Sequence, residues 1–128
     1  VNKNKRKGTA AETAFVKFMN ENGFPLVERR ALQGKADRGD ISGLVGVVIE
    51  IKSGARLSIP EWLKETQQEQ INDGASESYL IVKPKGKGKV EEWWVITTVG
   101  QWLCGIQESA DVASVESGSG QVRSVDNV

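Results

Sequence analysis

The stretch RGDISGLVGVVIEIKSG, Arg38 to Gly54, reads as two short strands, about 39–43 and 47–52, around a glycine-rich turn. With Leu44, Val45 and Gly46 as a three-residue hairpin loop and Gly46 at its left-handed position, Asp40 falls opposite Glu50. Along the second strand Glu50 and Lys52 share one face, while Val47, Ile49 and Ile51 point to the other. Two carboxylates and an ammonium converge on one hairpin.

Carboxylates ~4–5 Å apart repel by roughly 3–4 kcal/mol at an effective dielectric of about 20. A hard divalent cation removes that repulsion. Mg²⁺, with Mn²⁺ as a substitute, prefers oxygen ligands and needs only one or two protein carboxylates. Held by Asp40 and Glu50, it would polarise a phosphodiester and acidify a water nucleophile. Lys52 would orient or help deprotonate that water, or offset charge building on phosphorus. A plainer reading makes Glu50 and Lys52 an ordinary ion pair on a solvated sheet surface. Against it stand the upstream Asp, a Glu in the preceding helix and the polar helix that follows.

Outward from this stretch, Thr9 with Glu12 fits a capping box that opens a helix after Gly8, with Ala11, Ala14, Phe15, Phe18 and Met19 at helical spacing. Asn22-Gly23 stops it. The segment before it, Asn2 to Lys7, reads as a mobile basic arm. Leu26 to Leu32 reads as a strand with a charged edge, and Gln33 to Gly39 as a polar loop. Ser58 and Glu61 form a second capping box, for a helix that runs to Asp73 and stops at Gly74, anchored by Trp62, Leu63, Thr66 and Ile71. Ser78 to Val82 is apolar enough for a central strand. A basic loop, Lys83 to Lys89, leads to a strand from Trp93 to Val99, whose adjacent tryptophans face opposite ways. Val99 to Ile106 suits a short closing helix, and from Glu108 the composition is that of a weakly structured acidic tail.

The chain has 128 residues, 38% hydrophobic and 27% charged, in the range of one globular domain. It divides into an arm (1–7), a central domain (8–107) and a tail (108–128). With no histidine and a lone Cys104, Ser-His-Asp triads, Cys-His pairs and histidine-ligated zinc are excluded. No apolar run approaches the roughly 20 residues of a membrane helix, and no apolar core follows the basic start, so a cytoplasmic protein is expected. The zero net charge conceals a gradient. Residues 1–38 carry nine Lys/Arg against four Asp/Glu, and residues 91–128 carry one against six. The basic first part suits a nucleic-acid surface. Lys5, Arg6, Lys7, Arg29, Arg30, Lys35 and Arg38, with Lys85 and Lys87 from the later loop, are its candidate phosphate contacts.

Asp40 with Glu50-Ile51-Lys52 resembles the PD-(D/E)XK nuclease signature, with Gly39 in place of the proline. The element order is similar to the restriction-endonuclease-like core over about residues 8–99. The likeness is closest to the Holliday-junction resolvases of the archaeal type and their small phage relatives, on Glu12, Arg29-Arg30, Asp40, Glu50 and Lys52. It implies an α/β fold with a central mixed sheet flanked by helices, and a Mg²⁺-dependent endonuclease acting on branched DNA, four-way junctions first. It also implies a homodimer, because a junction has two symmetric strands to cut. Glu12 would reach the metal site, in competition with its capping reading. Gln67 and Gln70 would project toward the site from the following helix, or simply line a solvated face. Where the archaeal enzymes carry a Ser-Gly element, this chain has Gln33-Gly34. Alternatives are a duplex- or flap-nicking nuclease of the same fold and a non-catalytic DNA-binding module.

Overall fold

The computed structural model describes residues 3–30 and 38–116, with side chains for 8–30 and 38–111. Elements follow in the order α1 (Lys3–Glu21), β1 (Glu28–Arg29), β2 (Ile41–Ser42), β3 (Val47–Ser53), α2 (Ile59–Asp73), β4 (Glu77–Lys83), a single 3₁₀ turn (Val90–Glu92), β5 (Trp94–Ile96) and α3 (Val99–Glu116). The protein is α/β, with a mixed three-stranded sheet in the order β3-β4-β5 and a separate two-stranded ribbon of β1 and β2. β3 and β4 are parallel, joined by α2, and β5 returns antiparallel to β4.

Both faces of β3 are covered, as suits a parallel strand with a near-continuous apolar run. Ile49 and Ile51 join Ala11 and Phe15 of α1, with Val27, Ile41, Ile81 and Trp93, in one buried cluster. The alternate residues, Val48 and Glu50 with Ser78, Leu80 and Val82 of β4, are also buried. Ser78 donates to Gln70 of α2 at 2.7 Å, which identifies α2 as the cover of that second face. The expected split of β3 side chains holds, but the Glu50 face is an interior one. α2 is anchored there by Thr66 and Glu69, both buried, while Ile71 is 72% exposed. Thr66 satisfies its hydroxyl on the Trp62 carbonyl at 2.8 Å, so it packs without a stranded donor.

α2 has the expected bounds, with Gly74 left-handed at φ 70° as the helix stop. Ser58 is its N-cap but makes no side-chain capping bond, so the second capping box does not form. α1 starts at Lys3, five residues before Gly8, so Thr9 and Glu12 lie inside the helix, which removes the first capping box, and the helix runs through the expected arm boundary at residue 7. The backbone of Lys5, Arg6 and Lys7 therefore lies in the first turns of a helix, and Lys35 falls outside the described residues. Lys, Arg and Asn continue a helix at little cost, and one Gly inside it costs only ~1 kcal/mol.

Residues up to Thr97 form one compact unit and those from Thr98 a second. The second unit's helix, α3, extends ten residues beyond the expected end at Ile106 and crosses the proposed domain limit at 107. Val99, Trp102, Leu103 and Ile106, at helical spacing on α3, are all exposed. Among the described residues no helix is long and apolar enough to cross a membrane.

Candidate active site

Four features place Asp40. Gly39, buried with φ +98°, lies so close to β3 that a Cβ there would meet Val48 Cγ1 at 2.9 Å and the Ile49 carbonyl oxygen at 3.1 Å. The Asp40 amide donates to the Ile49 carbonyl at 2.9 Å, and its carboxylate accepts from the Ile51 amide at 2.8 Å. Its own carbonyl accepts from the Arg30 amide at 2.8 Å. Asp40 thus occupies the free edge of β3 with its side chain doing part of a strand's work.

This differs from the hairpin expected. β2 pairs with β1, Arg29 against Ile41 and Glu28 against Ser42, and forms no ladder with β3. The turn does place Gly46 at positive φ, 74°, but Gly43 is at φ +98° as well. Gly43 lies against the Leu26-Val27 backbone, where a Cβ would collide with the Leu26 carbonyl. The Gly43 bend ties β2 to the segment before it, while the Gly46 carbonyl accepts from the Ser76 and Glu77 amides at the start of β4. The convergence survives because Asp40 replaces the missing ladder.

Glu50 is 5% exposed, and its charge acts on the neighbouring Asp40 carboxyl. Burial first, and the Glu50 charge second, push the Asp40 carboxyl up to about 8, against the lowering pull of the Ile51 amide. Lys52 Nζ sits 3.5 Å from Glu50 and 3.1 Å from Glu65 of α2, and 6.0 Å from the centre of the Trp62 ring. Burial works to lower the Lys52 pKa, but Glu65, then Glu50, outweigh it and hold the ammonium above its ordinary range. Lys52 is a fixed cation at neutral pH.

Glu12 pairs with Arg29 at 3.0 Å and lines the same open pocket as Asp40, Glu50, Lys52 and the Ser53–Arg56 segment. Its charge also acts on Asp40. Of its two readings, the one facing the site fits this geometry. Arg30 is held by Asp73 at the end of α2, at 3.0 Å, which gives it a structural bond. Arg29 is engaged by Glu12, and Arg38, Lys85 and Lys87 are exposed.

The polar helix contributes different residues from those expected. Gln67 is exposed, and Gln70 bonds Ser78 and the Ala75 carbonyl at the helix end, so neither joins the carboxylates. Glu65 and Glu69 do. They and Glu50 each offer a carboxylate oxygen within 4.8 Å of the others. The signal was in the sequence: Glu65 and Glu69 are four apart, on the same helical stripe as Trp62 and Thr66. A stripe of Trp, Glu, Thr and Glu does not look like a core face.

The Asp40 pKa makes stability depend on pH. The carboxyl titrates near 3.8 in an unfolded chain and at about 8 in the folded one, so the folded state holds the proton more tightly. Its contribution is therefore complete below about pH 4 and is lost as pH rises toward 8, with a slope of at most about 1.4 kcal/mol per pH unit. Denaturant unfolding in chelated buffer should show stability falling from pH 5 to pH 8. A rise over that window would contradict the burial of Asp40 beside Glu50.

No protein-family model matches the chain, and no similar curated protein or solved structure was found.

Proposed function

We propose that the protein is a metal-dependent DNA endonuclease of the restriction-endonuclease-like kind, most suited to four-way junctions. The observation that carries this reading is the half-buried Asp40 carboxyl beside the buried Glu50, with Lys52 fixed as a cation next to them. Two adjoining carboxyls are hard oxygen donors, and a divalent cation held between them would remove the repulsion that raises Asp40. Asp40 and Glu50 would hold Mg²⁺ or Mn²⁺, with Glu12 on the pocket wall as a further or water-mediated ligand. The ion would supply polarisation of the phosphodiester and acidification of a water.

The chain's own residues supply the rest. The Ile51 amide aims the Asp40 carboxylate. Lys52, kept charged by Glu65 and Glu50, offsets charge developing on the phosphate rather than acting as a free base. Gly39 departs from the proline of the resembled signature, and at φ +98° no proline fits there. The departure is thus a local backbone solution that keeps the carboxylate in place. β3 and β4 run parallel with Ser53 beside Lys83, so the loop after the motif and the basic loop carrying Lys85 and Lys87 leave from the same end of the sheet. That end is where open α/β sheets bind ligands. A four-way junction presents two symmetric strands, so two copies acting together are part of the proposal.

Substrate choice is tested by incubating the protein with labelled four-way junctions, flaps and plain duplex in Mg²⁺ and in chelator. Metal-dependent paired cuts in the junction are expected. Equal cutting of all three would favour the general nicking nuclease, and binding without cutting would favour a non-catalytic module.

A further inference from the structure

We infer that Arg56 is a binding site for the phosphate group cleaved at the Asp40–Glu50 pocket, an inference that rests on the nuclease reading. Residues Ser53, Gly54, Ala55 and Arg56, between β3 and α2, all line that pocket together with Glu12 and Asp40. In a pocket walled by Glu12, Asp40 and Glu50, a bound divalent cation offsets only part of the carboxylate charge facing a phosphodiester, so an unpaired side-chain cation beside it adds to binding. Lys52 is committed to Glu50 and Glu65, Arg29 to Glu12, and Arg30 to Asp73. Arg56 makes no ion pair with any described carboxylate, and it is the one guanidinium among the pocket's described lining residues.

An exposed arginine without a partner is ordinarily just solvated. Its place decides the matter here. Gly54 has φ +135°, a conformation that side-chain-bearing residues rarely adopt, with open space where a Cβ would lie. That glycine turns the chain at the pocket rim two residues before Arg56. Arg56 also leaves the sheet at the end where the basic loop after β4 leaves it, since Ser53 is in register with Lys83. A guanidinium presents two parallel N–H donors to two phosphate oxygens, which a lysine cannot do. Arg56 therefore binds and positions the phosphate through two donors, while Lys52, held in place by its carboxylates, adds its charge from beside it.

The test uses the full chain with Arg56→Ala and Arg56→Lys, read by single-turnover cleavage of a four-way junction in Mg²⁺ and by the salt dependence of junction binding in Ca²⁺. For Arg56→Ala the rate of the saturated complex should fall about 10²-fold. The salt slope should shrink by about one, the share of a single neutralised phosphate. Arg56→Lys should restore the slope and only part of the rate, and neither change should alter thermal unfolding. An unchanged slope and rate would overturn the inference. A reduced slope with a wild-type rate would also overturn it, by placing the bound phosphate away from the cut. Should the wild type bind junctions and cut none, the nuclease reading fails by itself. The salt slope then still decides whether Arg56 holds a phosphate.

Discussion

Asp40→Asn is expected to abolish DNA cleavage while raising the stability of the metal-free protein at pH 8. Both effects have one cause. The half-buried Asp40 carboxyl lies beside Glu50 and is pushed up to about 8, so at that pH the fold must carry either a retained proton or a second charge next to Glu50. An amide removes that burden, and its oxygen can still accept from the Ile51 amide as the carboxylate does at 2.8 Å. The same amide is a neutral, weak ligand for a hard cation. Junction binding should persist, because phosphate contacts elsewhere supply most of the affinity. Wild-type cleavage by Asp40→Asn would remove the metal-site reading. Lower stability at pH 8 would remove the electrostatic account of the pair.

Lys52→Ala is expected to lower the rate of the saturated complex by about 10²–10⁴, or roughly 3–5 kcal/mol of transition-state stabilisation. Its ammonium lies 3.5 Å from Glu50 and 3.1 Å from Glu65 and is held charged at neutral pH. A cation so fixed serves the developing phosphate charge, so Lys52→Arg should recover much of the rate. Junction affinity should change little in either variant. If Lys52 were only a structural ion pair, the alanine variant would lose stability and keep its rate per folded molecule. Single-turnover cleavage beside thermal unfolding separates the two.

The parts of this fold that the sequence made legible are those fixed by local chemistry. α2 starts after Ser58 and stops at Gly74 because Pro60 suits a first turn and glycine suits a left-handed stop. β4 is central, with β3 and β5 on either side, as its apolar run suggests. Trp93 is 8% exposed and Trp94 45%, so the neighbouring tryptophans divide between core and surface. The Trp93 indole N–H donates to the Lys87 carbonyl at 2.9 Å and anchors the basic loop.

What the sequence conceals depends on tertiary partners. β2 takes β1 as its neighbour because Gly43 packs against the Leu26-Val27 backbone, an approach that no periodicity encodes. The expected strand from 26 to 32 is ordered as a strand only at Glu28–Arg29, with 31–37 outside the described residues. Glu69 is buried on α2 although its residue type is almost always exposed, so residue type alone points to Ile71 as the anchor instead. α1 and α3 both overrun their expected ends, because Thr9-Glu12 and Glu108 are weak boundary signals within helix-compatible sequence. At the site, Glu50 and Lys52 are legible from strand alternation and Glu12 from the resemblance. Asp40 is read from a hairpin ladder that does not form, and it reaches Glu50 by another route. Glu65 carries its helical-stripe signal in the sequence, but its approach to Lys52 depends on how α2 packs on β3, and Arg56 on the loop before α2.

The most direct measurement is single-turnover incubation of the wild-type protein with a labelled four-way junction, in Mg²⁺ and in chelator. Paired cuts in opposing strands that appear only with the metal are the expected result. A junction that the protein binds but leaves intact in both Mg²⁺ and Mn²⁺ would contradict the account.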